Sequence, residues 1–479
     1  MNARADADRE ICFMSACELA QLIRTRGISA REVMTAFLAQ IERVNPKINA
    51  IVAKLLDDKC LALADEADRR LVRGDDVGPL HGLPFAFKDL DAAVGFPLTR
   101  GSPIFKDFMP AEDSVLVERL KHAGVIPIAK TNVSEFGMGS HTYNEVYGTT
   151  LNPYNLKKSA GGSSGGAGAA LAAGLLPLAS GSDLGGSLRN PANFNNIVAL
   201  RPTVGLVPTA PTLLPFLGFS VKGPMARSVT DVGFLLSAMA GADPRDPAVY
   251  PSEPSIFAQP LDRDFKDVRV AWCLDLGGLP LDRRVRSVLE AQRQTFIDLG
   301  CIVEDACPDL RDADEIFLAL RAWNYWHTLG PLLEKHRNQM KPEAIWQIES
   351  GRKLTGDDVA NAMTRHGELM ERMRMFQEKY EFLLCAVNQV PPFDATVRWP
   401  QEIEGVNMEH YIAWMKSAYW ITPTFCPAIS VPAGFTADGL PVGIQIVGRY
   451  RNDLGVLQIA HVFEQATGFG RRRAAIMLG

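Results

Sequence analysis

S-A-G-G-S-S-G-G-A-G-A-A-L-A-A-G-L-L-P-L-A-S-G-S-D-L-G-G-S-L-R-N-P, from Ser159 to Pro191, is the stretch around which the rest of the chain is organised. Two of its serines, Ser163 and Ser187, each close a Gly-Gly-Ser step, and 24 positions separate them. The sequence between them has the pattern of a helix followed by a strand, which returns the chain to the region it left. A glycine-rich loop opening a helix first suggests phosphate binding. The specific fingerprints are missing, since there is no G-K-[ST] and no strand leading into G-x-G-x-x-G with a placed acidic residue. The G-x-S-x-G elbow is also absent in its hydrolase context, and none of the eight histidines lies near either serine in sequence.

Outward from this stretch, helix and strand patterns alternate. Upstream, G-P-L-H-G-L-P-F-A-F-K-D-L places Lys88 at the end of a short apolar run, at the mouth of a buried strand. A helix is predicted near Asp113, a strand from Val125 to Ala129, and a loop K-T-N-V-S-E-F-G-M-G-S after it. The pattern resumes with a strand from Val268, a helix over Asp282 to Leu299 and the strand C-I-V-E-D. This alternation predicts an α/β layer architecture about a central sheet. Ser29 and Glu32 form a capping-box signature ahead of Val33, Phe37, Leu38 and Ile41, and with segments from Ala16 and Leu55 they predict a helical N-terminal arm. From Asp312 to about Tyr419 the chain is rich in Met and Trp, with long helical patterns and one strand-like run from Phe382. The end returns to two strands joined by T-A-D-G, a hairpin signal, and a closing helix over Leu454 to Gln465. One domain is expected, divided into an arm (1–74), a catalytic core (75–310), a mainly helical insertion (311–420) and a C-terminal return to the core sheet (421–479).

Composition bounds the function. With 479 residues, 47% hydrophobic and 22% charged, the chain can bury a large core. A formal net charge of −5 without basic blocks argues against nucleic acid as a partner. No apolar leader opens the sequence and no segment approaches a membrane span, so a cytoplasmic protein without a membrane partner is expected. The eight cysteines (Cys12, Cys17, Cys60, Cys273, Cys301, Cys307, Cys385, Cys426) are scattered without a C-x-x-C pair, which predicts buried thiols with neither a disulfide framework nor a metal site.

Two serines and a lysine are then the chemical candidates. A serine hydroxyl is a weak nucleophile until a neighbour takes its proton, and a lysine desolvated enough to lose its charge can be that neighbour. Glycines beside Ser187 leave backbone N–H groups uncovered, as an oxyanion hole requires. Each feature alone reads more readily as a tight turn or a solvated lysine.

Together these segments resemble the amidase signature family of serine hydrolases. Its glycine/serine block is matched by Gly161 through Ala173, its G-[ST]-D-x-G-G-S-[IL]-R-x-P core by Gly181 through Pro191, and its lysine segment by Gly82 through Asp89. K-T-N-V-S-E-F from Lys130, N-P-Y-N from Asn152, L-R-P-T-V-G from Leu200, G-P-M-A-R-S-V from Gly223 and G-L-P-V-G-I-Q-I-V-G from Gly439 match as well. The resemblance implies an amidase signature fold, a central mixed β-sheet flanked by helices on both sides. It implies that Ser187 is the nucleophile, that Ser163, following a cis peptide bond, is the bridging serine, and that Lys88 is the base. It further implies an oxyanion hole of Leu184, Gly185, Gly186 and Ser187 amides, and substrate contacts at Gly137 and Met138. Asp183 and Arg189 are expected to pair and hold the turn, and Ser159 is a candidate for the lysine's surroundings.

Two departures stand out. Asn195-Asn196-Ile197-Val198-Ala199-Leu200-Arg201-Pro202 replaces the common C-G-x-x-G-L-K-P, and Leu184 replaces Thr or Ile. The implied activity is hydrolysis of a small-molecule amide without a cofactor. Pro211 to Phe219 and the aromatic insertion (Trp323, Tyr325, Trp326, Trp346) direct the expectation to a hydrophobic or aryl amide or anilide. A carbamate or ester hydrolase and the glutaminase subunit of a tRNA-dependent amidotransferase are the alternatives, and a monomer or a homodimer is left open.

Overall fold

Local signals start the N-terminal helices. Ser29 and Glu32 exchange side-chain and backbone hydrogen bonds as a capping box, and the helix Ala30–Ile48 that follows buries Val33, Phe37, Ile41 and Val44. Such a cap is worth about 1 kcal/mol. Helices Ala16–Arg24 and Asp57–Arg73 flank it. The computed structural model describes residues 9–474 and 476. Residues 1–8, part of the stretch in which the sequence predicts no apolar leader, lie outside them.

The strands are β1 (Ile51–Val52), β2 (Pro84–Lys88), β3 (Ile126–Thr131), β4 (Leu151–Asn152), β5 (Asn155–Ser159), β6 (Leu178–Asp183), β7 (Val198–Arg201), β8 (Val221–Ala226), β9 (Arg269–Trp272), β10 (Ile302–Asp305), β11 (Phe382–Ala386), β12 (Glu402–Ile403), β13 (Val406–Asn407), β14 (Ala428–Phe435) and β15 (Pro441–Gly448). Eight of them form the central sheet, in the order β10-β9-β11-β15-β14-β7-β8-β6. β10, β9 and β11 run parallel and the other pairings are antiparallel, so the sheet is mixed, as expected. β2, which ends in Lys88, belongs instead to a small sheet in the order β1-β3-β2 and packs beside β6.

The strand period of two assigns alternate residues to opposite faces of the sheet. In β11, Leu384 and Ala386 enter one core with Leu236 of helix Val229–Met239 and Phe463 of helix Asp453–Thr467. Leu383 and Cys385 enter a second core with Phe317 of helix Ala313–His336 and Leu369 of helix Gly356–Lys379. Helices therefore cover both faces. The strand predicted from Phe382 lies between β9 and β15 inside the central sheet. The T-A-D-G segment closes the β14–β15 hairpin, with Gly439 N–H donating to Thr436 O at 2.8 Å.

Two expectations need correcting. The helix predicted from Asp282 to Leu299 is broken into Arg283–Glu290 and Arg293–Asp298, because the Gln292 N–H donates to Leu289 O, three residues back, and a turn at 291–292 interrupts the α-helical ladder. The cysteines are also not all free thiols, since Cys273 and Cys307 form a disulfide with Cα atoms 5.3 Å apart. The cause is topological: β9 and β10 pair in parallel up to Trp272 and Asp305, so residues just past both strands emerge at the same edge. The other six cysteines are buried or half-buried. No helix among the described residues is long and apolar enough to cross a membrane.

Candidate active site

β2 is buried along its whole length, and it delivers Lys88 into the protein with no solvent exposure. The ammonium-bearing end meets hydroxyls rather than carboxylates. Lys88 Nζ lies 2.8 Å from Ser163 Oγ, 2.7 Å from Ser164 Oγ and 2.9 Å from Ser182 Oγ, with Ser182 O at 3.4 Å. Burial pushes the lysine pKa down to about 7, the positive charge of Lys222 acts in the same direction, and Asp91 and Asp183 oppose it. The amine is thus poised to take and return a proton near neutrality.

Ser163 is 1% exposed, and the Gly162–Ser163 peptide bond is cis. The helix Gly165–Ala172 starts two residues later. Its glycines serve close packing: a Cβ at Gly166 would lie 2.3 Å from the Asn132 nitrogen. Ser187, at 8% exposure, is the most accessible of Lys88, Ser163 and Ser187. The two serine turns are tied through the backbone, since Ser164 N–H donates to Ser187 O at 3.3 Å.

Around Ser187 the turn is built on Asp183. Its carboxylate accepts from the Gly186 N–H (2.7 Å), the Leu188 N–H (3.2 Å), Arg189 Nε and Nη2 (3.0 Å each) and Arg201 Nη1 (3.3 Å). All three side chains are fully buried. Burial alone raises the Asp183 carboxyl, and the Arg189 and Arg201 charges overcome it and hold the group well below the usual carboxylate range. The Asp183–Arg189 contact is the pairing the sequence predicts. Gly186 has φ 115°, a conformation that excludes other residues, and its amide is committed to Asp183. The expected oxyanion set therefore loses Gly186 in this geometry, whereas the amides of Leu184, Gly185 and Ser187 donate to no side chain among the described residues.

Gly137 lies beside the site, where a Cβ would come 3.5 Å from Ser163 Oγ. Met138 is buried in a small apolar cluster with Leu329, Leu333 and Ile348 from the helical segment. Ser159 does not reach Lys88: its hydroxyl pairs with His141 Nδ1 at 2.8 Å and accepts from the Gly161 N–H at 3.0 Å.

Three contributors were missed in the sequence. Ser164 and Ser182 complete the hydroxyl cage, and their signal was adjacency to Ser163 and Asp183. Arg201 donates to Asp183 O (2.6 Å) and Phe219 O (3.0 Å), and its signal was a charge ending the apolar strand β7.

Comparison with known proteins gives the family. Residues 32–457 match the family profile described as Amidase. The chain is 34% identical to an acylamidase of Rhodococcus erythropolis over 98% of each chain. It is 31% identical to a glutamyl-tRNA(Gln) amidotransferase subunit of Thermosynechococcus vestitus, over 93% of this chain and 96% of that one. Among solved structures, a bacterial aryl acylamidase belonging to the amidase signature enzymes superposes with a TM-score of 0.89 at 26% identity, covering 97% of this chain and 99% of the other.

Proposed function

The chain belongs to the amidase signature family and is a hydrolase of amide C–N bonds, and on that premise we propose that Ser187 is its nucleophile, Ser163 the bridging serine and Lys88 the base. The observation that carries this reading is the buried Lys88 amine, 2.8 Å from Ser163 Oγ and paired with no carboxylate among the described residues.

Neutral Lys88 accepts the Ser163 proton as Ser163 accepts the Ser187 proton, and Ser187 Oγ attacks the substrate carbonyl. The oxyanion forms against the amides of Leu184, Gly185 and Ser187. Collapse breaks the C–N bond while the relay returns its proton to the departing nitrogen through Ser163, the demanding half of amide cleavage. Water then gives a proton to the relay, attacks the acyl-enzyme and releases the acid, and Ser187 regains its proton.

Aromatic side chains near the turn support an aryl or otherwise hydrophobic amide. Phe317 stacks on Tyr419 at 4.4 Å and on Phe219 at 6.0 Å, and a Cβ on Gly185 would meet Phe317 Cζ at 2.7 Å. The acylamidase relative and the aryl acylamidase neighbour support the same class. Similarity to the amidotransferase protein favours a second reading, release of ammonia from glutamine for a partner. The test is hydrolysis of anilides, aliphatic amides, carbamates, esters and glutamine by the purified chain alone. Turnover of anilides that is lost in Ser187→Ala is expected. Glutamine hydrolysis that requires added partner subunits would replace the first reading by the second.

A further inference from the structure

Helix Ala313–His336 passes over the turn that holds Ser187, with Phe317 lying against Gly185. One helical turn further along stands Arg321, 4% exposed. Opposite, Tyr411 packs on Gly139, where a Cβ would come 3.3 Å from the ring, and Gly139 is two positions from the Gly137 that borders Ser163. The Arg321 guanidinium carbon lies 5.9 Å from the Phe317 ring, 5.6 Å from Tyr411 and 5.1 Å from Tyr325. It therefore sits between the two loops that flank the serines.

Its charge is balanced differently from that of the fold's other buried arginines. Arg189 and Arg201 share the Asp183 carboxylate. Arg321 has no carboxylate within ion-pair distance among the described residues. Nη2 donates to Tyr411 OH at 2.7 Å, and Nη1 is buried with no hydrogen-bond partner among the described residues. Ring faces stabilise a cation but give its N–H groups no acceptor. A buried charge with an unsatisfied donor is costly to retain, and a ligand oxygen at Nη1 would remove that cost.

We infer that Arg321 is a substrate-binding residue whose Nη1 receives an oxygen acceptor, in the strongest case a carboxylate, carried by the substrate away from the scissile amide. The inference deepens the amidase reading and rests on it: among aryl amides, those with a second carbonyl or carboxylate group on the acyl chain are the preferred class.

The test uses three anilides of equal acyl length, ending in a methyl group, a methyl ketone or a carboxylate. In the wild-type protein, kcat/KM for at least one acceptor-bearing anilide should exceed that of the methyl-terminated one by about 10- to 100-fold, the range for a hydrogen bond to a charged group. A preference shared by ketone and carboxylate identifies a neutral acceptor as sufficient, and a preference for the carboxylate alone identifies an anion site. Arg321→Met should erase the ratio, and Arg321→Lys should recover part of it for the carboxylate. Preference for the methyl-terminated anilide in the wild-type protein, no preference, or a ratio that survives in Arg321→Met overturns the inference. Failure of the amidase reading looks different, as no turnover of any of the three. Binding is then decisive: in Ser187→Ala the acceptor-bearing anilides should raise the melting temperature more than the methyl-terminated one, and equal shifts overturn the assignment.

Discussion

Replacing Asp183 by Asn removes the charge at the centre of the turn that holds Ser187. The carboxylate accepts five hydrogen bonds, two from the backbone amides on either side of Ser187 and three from Arg189 and Arg201. An Asn keeps one acceptor oxygen and turns an NH2 group toward donors, leaving two buried guanidinium groups without a counter-charge. Removing one partner of a buried pair costs about 3–5 kcal/mol. The lower end applies here, because Arg189 keeps Ala418 O and Gln445 Oε1 and Arg201 keeps Asp183 O and Phe219 O. With an unfolding entropy of roughly 2.1 cal/mol/K per residue, a chain of this length loses about 3 °C in Tm for about 3 kcal/mol. Displacement of the turn should lower kcat by about 100-fold. The sign with pH follows from the depressed folded pKa: the stabilisation is present above the unfolded value of about 3.9 and is lost as pH falls through the folded one. The carboxylate's own contribution should thus be constant from pH 6 to 8 and be lost only in acid, while the gap widens modestly as pH falls through about 7, because Asp183 also favours the Lys88 ammonium. Thermal denaturation and steady-state kinetics across that range test it. A variant with unaltered Tm and kcat, or a gap that narrows as pH falls from 8 to 6, would refute the hub.

Three further outcomes are expected. The kcat/KM profile should rise with pH through about 7 as Lys88 loses its proton, and Lys88→Met should abolish turnover; a falling limb there removes lysine as the base. Because the folded pKa lies below the unfolded value of about 10.4, the unfolded chain binds more protons between those pH values, so Lys88 should make wild-type stability rise with pH relative to Lys88→Met, by up to about 1.4 kcal/mol per unit, in denaturant titrations. Ser163→Ala should cost 10²- to 10⁴-fold in kcat, in the range of lost proton transfer, against about 10-fold or less for Ser182→Ala; equal losses would mean that the proton route does not run through Ser163. Gly137→Ala, which adds a Cβ 3.0 Å from Leu90 Cδ1 at a φ of 73°, should lower stability by about 1 kcal/mol and kcat/KM by about 10-fold, and a silent substitution would place the loop away from the reaction.

Local signals carried much of the fold. The capping box at Ser29, the apolar run ending in Lys88 and the T-A-D-G turn are short-range features, and each forms as its residues dictate. Sheet order is a long-range property, so nothing local placed β11 between β9 and β15 or moved β2 into a second sheet. The Cys273–Cys307 bridge was hidden for the same reason, since it follows from the parallel pairing of strands 33 residues apart in register. In the site, the serines and the lysine stood out because they sit in spaced motifs. The Ser164 and Ser182 hydroxyls, the second arginine on Asp183 and the Arg321–Tyr411 contact were not legible, because a serine, an arginine or a tyrosine declares its partner only when distant segments are brought within 3 Å of each other.

The central claim is that Ser187 is activated by Lys88 through Ser163, and it is tested most directly by an aryl-free alkyl fluorophosphonate, which a relay-activated serine attacks with loss of fluoride. Mass spectrometry of the intact protein and its peptides should show one adduct, on Ser187, forming faster as pH rises through about 7, strongly slowed in Lys88→Met and absent in Ser187→Ala. An adduct on another residue, or labelling of Ser187 at the same rate without Lys88, would contradict it.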